Sequence, residues 1–534
     1  MTENMQAMTE QMDAMLREVF KEGEPGGTVL VAKDGKPVFR KGYGMANVEL
    51  EVTNQPQMVF RLGSITKQFT AVAILMLYEQ GKLGLQDEIT QYLPDYPTHG
   101  HTITIEHLLH HTSGIKSYTG MKEWMPVMRT DYSVEDWINF FKYQPMEFAP
   151  GEKWNYNNSG YFLLGAVIEK VSGQGYADFL KEHIFEPLGM THTWYDMPNL
   201  IIPGRVNGYE PAGDAYQNAA YLSMTQPYAA GSLASSVDDM LLWDEALYTE
   251  KLVKQESLQK AWTAGKLNNG EETGYGYGWA MADFDGTHVI THGGGINGFI
   301  TDGMRLPDDH VFVSILTNTG KGLPDLLAYK LAALAAGKPY QEPEPITLDA
   351  ETLRKYEGVY TIELMSMDVP VELVDGELHA QIPMADKPIL RPLSETEFFI
   401  YDSAYHVTFH LDEKGAVTGL GLKGIYGSAM EGVKTDKPLP GQRESVDLEP
   451  ALLEQYTGAY QVAPGMLMRV ELVDGRLTAQ VPGQPVLQLH AESETTFFVK
   501  EAPVGITFVK DESGKVASAL IDQGSQQLPA QRIK

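Results

Sequence analysis

The chain has 534 residues, 43% of them hydrophobic and 10% aromatic, which is too much for one ordinary core and predicts two to four packed domains. Its formal net charge of −30 repels phosphate backbones and anionic lipid, which excludes nucleic-acid and membrane-surface partners from the expected roles. With no cysteine at all, disulfides, thiolate catalysis and cysteine-ligated zinc are excluded.

In chain order, MTENMQAMTEQMDAMLREVF (1–20) predicts a methionine-rich amphipathic helix. It lacks the basic start and apolar core of a signal peptide, so a cytoplasmic location is expected unless a leader has been removed. GTVLVAKDGKPVFRKGYG (27–44) reads as two strands joined by an Asp34-Gly35 turn. Helical patterns dominate from Ser64 to about Val171, and the run AVAILMLY (71–78) is too short to span a bilayer. Strand patterns return at 274–295 and 310–318, and a helix follows at 323–337. Strands at both ends with helices between predict an α/β (α+β) domain over 1–340, an antiparallel sheet flanked by helices.

QEPEPITL (341–348) reads as a linker, and a repeat follows. YEGVY (356–360) returns as YTGAY (456–460), and VELVDGELHAQIP (371–383) as VELVDGRLTAQVP (470–482), at offsets of 100 and 99 residues. Alternating strands with Asp-Gly turns predict two small antiparallel β-barrels, at 347–438 and 447–534.

The chemistry starts in RLGSITKQFTAVAILML (61–77), where Ser64 and Lys67 stand three apart. Ser113–Lys116 and Ser257–Lys260 share that spacing, so context must separate the three. Gly114 interrupts any helix after Ser113, and Ser257 lies in a polar stretch expected to be an exposed helix. Ser64 follows a turn glycine and opens an apolar helix, whose unpaired N–H groups and positive end favour an anion. Lys67 shares its face, and burial would depress the lysine pKa as a base requires. Serine is also a favoured helix cap, so the pair alone leaves both readings open.

Two further stretches bear on the choice. WNYNNSGYFLLGAVIEKVSG (154–173) places Tyr156, Asn157 and Asn158 just before an apolar helix. Tyr156 beside a lysine would serve as a phenolate-type base, and Asn158 would bind a substrate amide; an ordinary Asn-rich turn is the alternative. THVITHGGGINGF (287–299) runs a strand into His292, Gly293, Gly294 and Gly295, where missing side chains would let a substrate lie against the strand edge.

These three motifs, in this order, resemble the penicillin-recognising serine hydrolases, which span class C β-lactamases, D-Ala-D-Ala carboxypeptidases, D-aminopeptidases and related esterases. The stretches LLHHTSGI (108–115), AAGSLASSVDDMLLW (229–243) and YGYGW (275–279) add to the resemblance, which covers roughly residues 20–340. It implies that Ser64 is the acylated nucleophile and that Lys67 and Tyr156 share acid–base work. It further implies that Asn158 orients the substrate amide and that the N–H groups of Ser64 and Gly295 form the oxyanion hole. His292 stands where β-lactamases and carboxypeptidases carry a lysine, a departure that resembles the D-aminopeptidase and esterase branch. A catalytic domain followed by two barrels resembles the three-domain D-aminopeptidases, and the barrels resemble lipocalin-type appendages. The resemblance implies a loop of the last barrel reaching the site; QVAPGML (461–467) and KGIYGSAM (423–430) are the loop-like candidates.

The expected protein is a serine hydrolase that forms an acyl-enzyme on small amides or short peptides, D-aminopeptidase-like, without metal or cofactor. An esterase, a β-lactamase or carboxypeptidase, and an inactive peptide- or peptidoglycan-fragment-binding protein are the alternatives. A homodimer is compatible with the sequence, which leaves the oligomeric state open. The histidines of PTHGHTITIEHLLHH (97–111) tempt a zinc reading, but Thr104 reads as the cap of a short buried helix and no acidic partner completes a ligand set.

Overall fold

A computed structural model describes residues 3–533 except 214, 285, 325, 363–366, 382–386, 402, 404, 425–428, 464–465, 482–485, 501–503, 512 and 524–525. The chain divides into two compact units, Met1–Tyr340 and, among the described residues, Gln341–Gly424 with Ala429–Lys534.

The first unit is built on a six-stranded antiparallel sheet. Helix α1 (Glu3–Val19) leads into strands β1 (Gly27–Lys33) and β2 (Lys36–Tyr43). Asp34 and Gly35 carry them across the predicted turn with φ of 51° and 69°, the two left-handed residues that match the twist of a tight hairpin. The other strands come from the far end of the unit: β3 (Ala280–Phe284), β4 (Thr287–Ile296), β5 (Phe299–Leu306) and β6 (Val311–Thr317). The spatial order is β3-β4-β5-β6-β1-β2, so the first strand pairs with the last, Val29 opposite Ile315.

The helical region between them supplies α2 (Thr66–Glu79), α3 (Ile105–Leu109) and α4 (Asn158–Ser172), and α5 (Leu327–Ala336) closes the unit. α2 is apolar nearly all round, and Phe69, Val72, Ile74 and Leu75 are fully buried in one large core. A helix with no polar stripe sits inside a domain, not on its surface.

The second unit holds both predicted barrels. Strands from Gly358 to Thr435 close an eight-stranded barrel, and strands from Gly458 to Ile533 form a nine-stranded sheet that is nearly a barrel. The gap lies between Leu487–Gln488 and His490–Ala491, where one residue, Leu489, splits the strand that runs unbroken as Ile389–Pro392 in the first copy. The interiors repeat residue for residue. Tyr356, Tyr360, Phe398 and Phe409 pack together in one, and Tyr456, Tyr460, Phe497 and Phe508 in the other. In each, the second tyrosine donates to the carbonyl of the first at 2.7 Å. Aromatic rings thus form part of the core of both barrels. The two loop-like stretches singled out by sequence fall partly on residues 464–465 and 425–428, outside the described residues.

Candidate active site

Ser64 lies in a 3-10 turn, Gly63–Ile65, that runs straight into α2. The turn is possible because Gly63 adopts φ of +55°, which a residue with a side chain rarely takes. No side-chain cap bond forms at the start of either helical segment, so Ser64 is not the cap that serine so often supplies. Its hydroxyl is half-buried and faces Lys67.

Lys67 has no exposed surface. Its Nζ lies 3.1 Å from Ser64 Oγ, 2.8 Å from Asn158 Oδ1 and 2.9 Å from the carbonyl oxygen of Ala230. Burial holds its pKa well below the usual lysine value, which favours the neutral amine. A neutral amine has two N–H bonds and one lone pair. The amide and carbonyl oxygens can only accept, so they take both N–H bonds. The lone pair is left for the one neighbour able to donate, the Ser64 hydroxyl.

The elements that hold this geometry are local in origin. Asn157 caps α4, its Oδ1 accepting from Gly160 N at 2.8 Å, and so fixes Asn158 at the first turn. Asn158 is then tied by both ends of its carboxamide, to Lys67 and, through Nδ2 at 3.2 Å, to Thr119 Oγ1. Expected from sequence to hold a substrate amide, it is bonded instead to the lysine. Ala230 ends a 3-10 turn in the AAGSLASS stretch, and Ala229 beside it accepts from Thr70 Oγ1 at 2.6 Å, so that stretch serves α2 with backbone carbonyls.

Tyr156 stacks over the same lysine, with Nζ 4.7 Å from its ring centroid. Its hydroxyl oxygen is buried and makes no complete hydrogen bond, with Ser64 the one neighbour that eases its ionisation. Burial drives its pKa upward by more than Ser64 offsets, which favours the neutral phenol over the expected phenolate. As a phenol it has a proton to donate, while Lys67 carries the lone pair.

β4 brings the third motif alongside. Gly294 passes against Leu62, and Gly63 stands so near Gly295 that a β-carbon on it would lie 3.0 Å from Gly295 N. The backbones expected to supply the two N–H donors therefore meet at the Ser64 turn. His292 is buried, with Nε2 2.8 Å from Tyr275 Oη and Nδ1 2.6 Å from the carbonyl oxygen of Gly293. The carbonyl can only accept, so Nδ1 carries the hydrogen and Nε2 accepts from tyrosine. Burial depresses the imidazole to about 3, and a proton on Lys67 would lower it further. His292 is neutral and is not the cation that a lysine in its place would be.

Sequence reasoning assigned no role in the site to Ala230, Thr119 or Tyr275. His111 is buried with its ring 4.4 Å from that of Tyr156 and 4.7 Å from that of Tyr275, and its Nδ1 accepts from Asn157 N at 3.0 Å. The histidine-rich stretch otherwise behaves as predicted: Thr104 caps α3 in a box with His107. Among the described residues no group of three or more His, Asp or Glu is placed to hold a metal ion. Of the rival serines, Ser113 is buried outside any helix. Ser257 corrects its expectation: it is buried, because its hydroxyl donates to Glu79 at the end of α2 at 2.5 Å.

Beside Tyr156 and His292 opens a cavity of about 390 Å³, walled also by Trp154, Tyr275, Gly294 and Asp302 among others.

A buried lysine wedged against a reachable serine, on a helix packed against an antiparallel sheet, is the architecture of a serine hydrolase. The chain belongs to the β-lactamase family, whose model (Beta-lactamase) matches residues 5–338; the barrels match a Domain of unknown function (DUF3471) at 342–439 and 442–532. It is similar to penicillin-binding protein 4* of Bacillus subtilis (strain 168), 30% identical over 440 residues that cover 77% of this chain and 95% of that protein. It is 28% identical over 361 residues to a D-aminopeptidase of Gluconobacter oxydans (strain 621H), covering 66% of each. Among solved structures it resembles the octameric penicillin-binding protein homologue from Pyrococcus abyssi, with a TM-score of 0.54 and 27% identity over 80% of this chain and 99% of that one. No helix among the described residues is long and apolar enough to cross a membrane.

Proposed function

We propose that the protein hydrolyses small amides or short peptides through an acyl-enzyme on Ser64, in the manner of a D-aminopeptidase. The observation that carries this reading is the three-way setting of Lys67 Nζ between Ser64, Asn158 and Ala230. Lys67 takes the Ser64 proton as Oγ bonds to the substrate carbonyl carbon. The resulting oxyanion is received by the N–H groups of Ser64 and Gly295. Tyr156 passes a proton to the departing nitrogen as the C–N bond breaks and recovers one from the Lys67 ammonium. Water then cleaves the acyl-serine by the same groups in reverse.

Neutral His292 and the absence of lysine or arginine among the described cavity-lining residues speak against a substrate carboxylate anchored there, as a β-lactamase or carboxypeptidase would need. The similarity to a D-aminopeptidase supports the peptidase reading. The esterase reading keeps one observation in its favour. The Tyr156 hydroxyl makes no complete hydrogen bond, and an ester needs less protonation of its leaving group than an amide does.

The test is initial rates on D-Ala and L-Ala p-nitroanilides and a short-chain p-nitrophenyl ester, with Ser64→Ala as the blank. Serine-dependent release from the D-anilide supports the peptidase. Release from the ester alone moves the assignment to an esterase, and turnover that survives Ser64→Ala removes the acyl-enzyme.

A further inference from the structure

The two oxygens that accept from Lys67 come from distant parts of the chain, Asn158 Oδ1 and the carbonyl of Ala230. Asn158 opens α4, and Ala230 ends the 3-10 turn Tyr228–Ala230, which lies between α2 and α4. On the α2 side hydrogen bonds hold that stretch: Thr70 Oγ1 donates to the Ala229 carbonyl at 2.6 Å, and Leu233 N donates to Thr66 Oγ1 at 3.1 Å. On the α4 side packing holds it. Gly165 faces the turn so closely that a β-carbon there would stand 2.4 Å from the Tyr228 ring and 2.5 Å from Ala229 Cβ. Glycine weakens a helix interior, and here it is what lets the turn approach. Asn158 and Gly165 are seven residues apart, so they share one face of α4, about 10.5 Å apart along its axis.

Tyr228 carries backbone strain. Its φ is +45°, a left-handed conformation that a bulky residue adopts only where its surroundings impose it. The surroundings are plain. Its ring is buried, with centroids 4.7 Å from Phe162 on α4 and 5.0 Å from Tyr176, and its carbonyl accepts from Ser232 N at 2.9 Å. The Tyr176 hydroxyl in turn lies 2.7 Å from Thr70 Oγ1, which ties the aromatic seat back to α2. From this bend the next two carbonyls, of Ala229 and Ala230, reach Thr70 and Lys67.

We propose that Gly165 and Tyr228 are positioning residues: the ring seated on the glycine fixes the Ala230 carbonyl at a set distance from Asn158 and so aims the Lys67 lone pair at Ser64. α4 is the ruler, carrying one acceptor at its first turn and the seat for the other two turns further on. The inference rests on the acyl-enzyme reading for the lysine's work as a base, and not for the contact itself. A turn pushed off α4 takes the Ala230 carbonyl with it. One lysine N–H then loses its acceptor, the amine is free to rotate, and the lone pair is no longer held on the serine hydroxyl.

The test disturbs the seat from both sides, with Gly165→Ala and Tyr228→Ala, and keeps the ring in Tyr228→Phe. On p-nitrophenyl acetate, with Ser64→Ala as the blank, both alanine variants are expected to lose about 100-fold in kcat while KM stays within about threefold. Tyr228→Phe is expected to keep most of the activity. A second readout needs no turnover: thermal melts of each alanine variant in the Lys67 protein and in Lys67→Met. Methionine has no N–H to satisfy, so the fall in melting temperature is expected to be larger where the lysine is present. Equal falls in the two backgrounds, or wild-type kcat in Gly165→Ala, overturn the positioning role. Where Gly165→Ala fails to fold, Tyr228→Ala decides by the same two readouts. Ester turnover that survives Ser64→Ala removes the nucleophile and leaves the melts to report on the contact by themselves.

Discussion

Gly294 runs so close to Leu62 that a β-carbon on the glycine would stand 2.0 Å from the Leu62 carbonyl oxygen and 2.3 Å from Thr301 Oγ1. That carbonyl already accepts from Thr301 at 2.8 Å, so neither group can retreat without breaking the bond that ties β5 to the serine turn. Gly294→Ala is expected to cost about 1–3 kcal/mol of stability, the usual penalty of overpacking, and to displace Ser64 enough to lose activity far beyond that. Urea unfolding and kcat/KM on the same preparation check both parts.

Lys67 makes the pH dependence directional. Because burial lowers its pKa, the deprotonated amine is favoured, and activity is expected to rise as pH climbs through that lowered value. Between the depressed folded value and the ordinary lysine value the unfolded chain binds the extra proton, so stability also rises with pH there. Lys67→Met is expected to abolish turnover and to raise stability at neutral pH, measured by thermal melts across a pH series.

His292 is expected to stay out of the working pH range. Its folded value of about 3 lies below the 6.5 of an unfolded histidine, so only the unfolded chain gains this proton between those values. Stability contributed by this residue is therefore full above pH 6.5 and lost as pH falls toward 3. A histidine ring C–H signal that His292→Gln removes from the NMR spectrum, and that does not titrate between pH 5 and 8, checks it.

Ser257 offers a contrast with Ser64. Its hydroxyl bonds Glu79, whose carboxylate also accepts from Lys254 N at 2.8 Å. Ser257→Ala is expected to leave kcat unchanged and to cost about 1.5–3 kcal/mol, the range for a hydrogen bond to a charged group. Comparing both serine variants on one substrate separates chemistry from packing.

The barrels predict equal injuries at equal places. Tyr360→Phe and Tyr460→Phe each strand a buried carbonyl, on Tyr356 and Tyr456, and each is expected to cost about 1–3 kcal/mol. Denaturant unfolding of the two variants side by side measures it.

The motif residues were legible because side-chain chemistry is written in sequence. Ser64, Lys67, Tyr156, Asn158 and His292 all stand on or beside apolar elements whose period or turn signals are plain. The barrels were legible because a repeat states its fold twice. What was not legible is what backbone and long-range packing decide. Any residue carries a carbonyl, so nothing marks Ala230 as the acceptor that fixes Lys67. Ser257 reads as exposed because its neighbours are polar; only the arrival of Glu79, far away in sequence, buries it. The Tyr156 phenolate failed for the same reason, since desolvation by His111 and Tyr275 is a property of the assembled core and not of the triplet. The lack of a cap bond at Ser64 likewise appears only once Gly63 has turned the chain.

The pairing of β1 with β6 sets an order of events at the ribosome. The hairpin of residues 27–43 emerges early, yet the strand it pairs with, 311–317, is made only after the whole helical region has left the tunnel. Leu62 likewise waits for Gly294. Through that interval the nascent chain carries an unpaired, apolar strand edge, the kind of surface on which polypeptides stick to one another. A ribosome stalled before Val311 thus releases a product that carries Ser64 and Lys67 but lacks the strand that joins β1 to β5. Such fragments are expected to be clients for chaperones and proteases, and never partial enzymes.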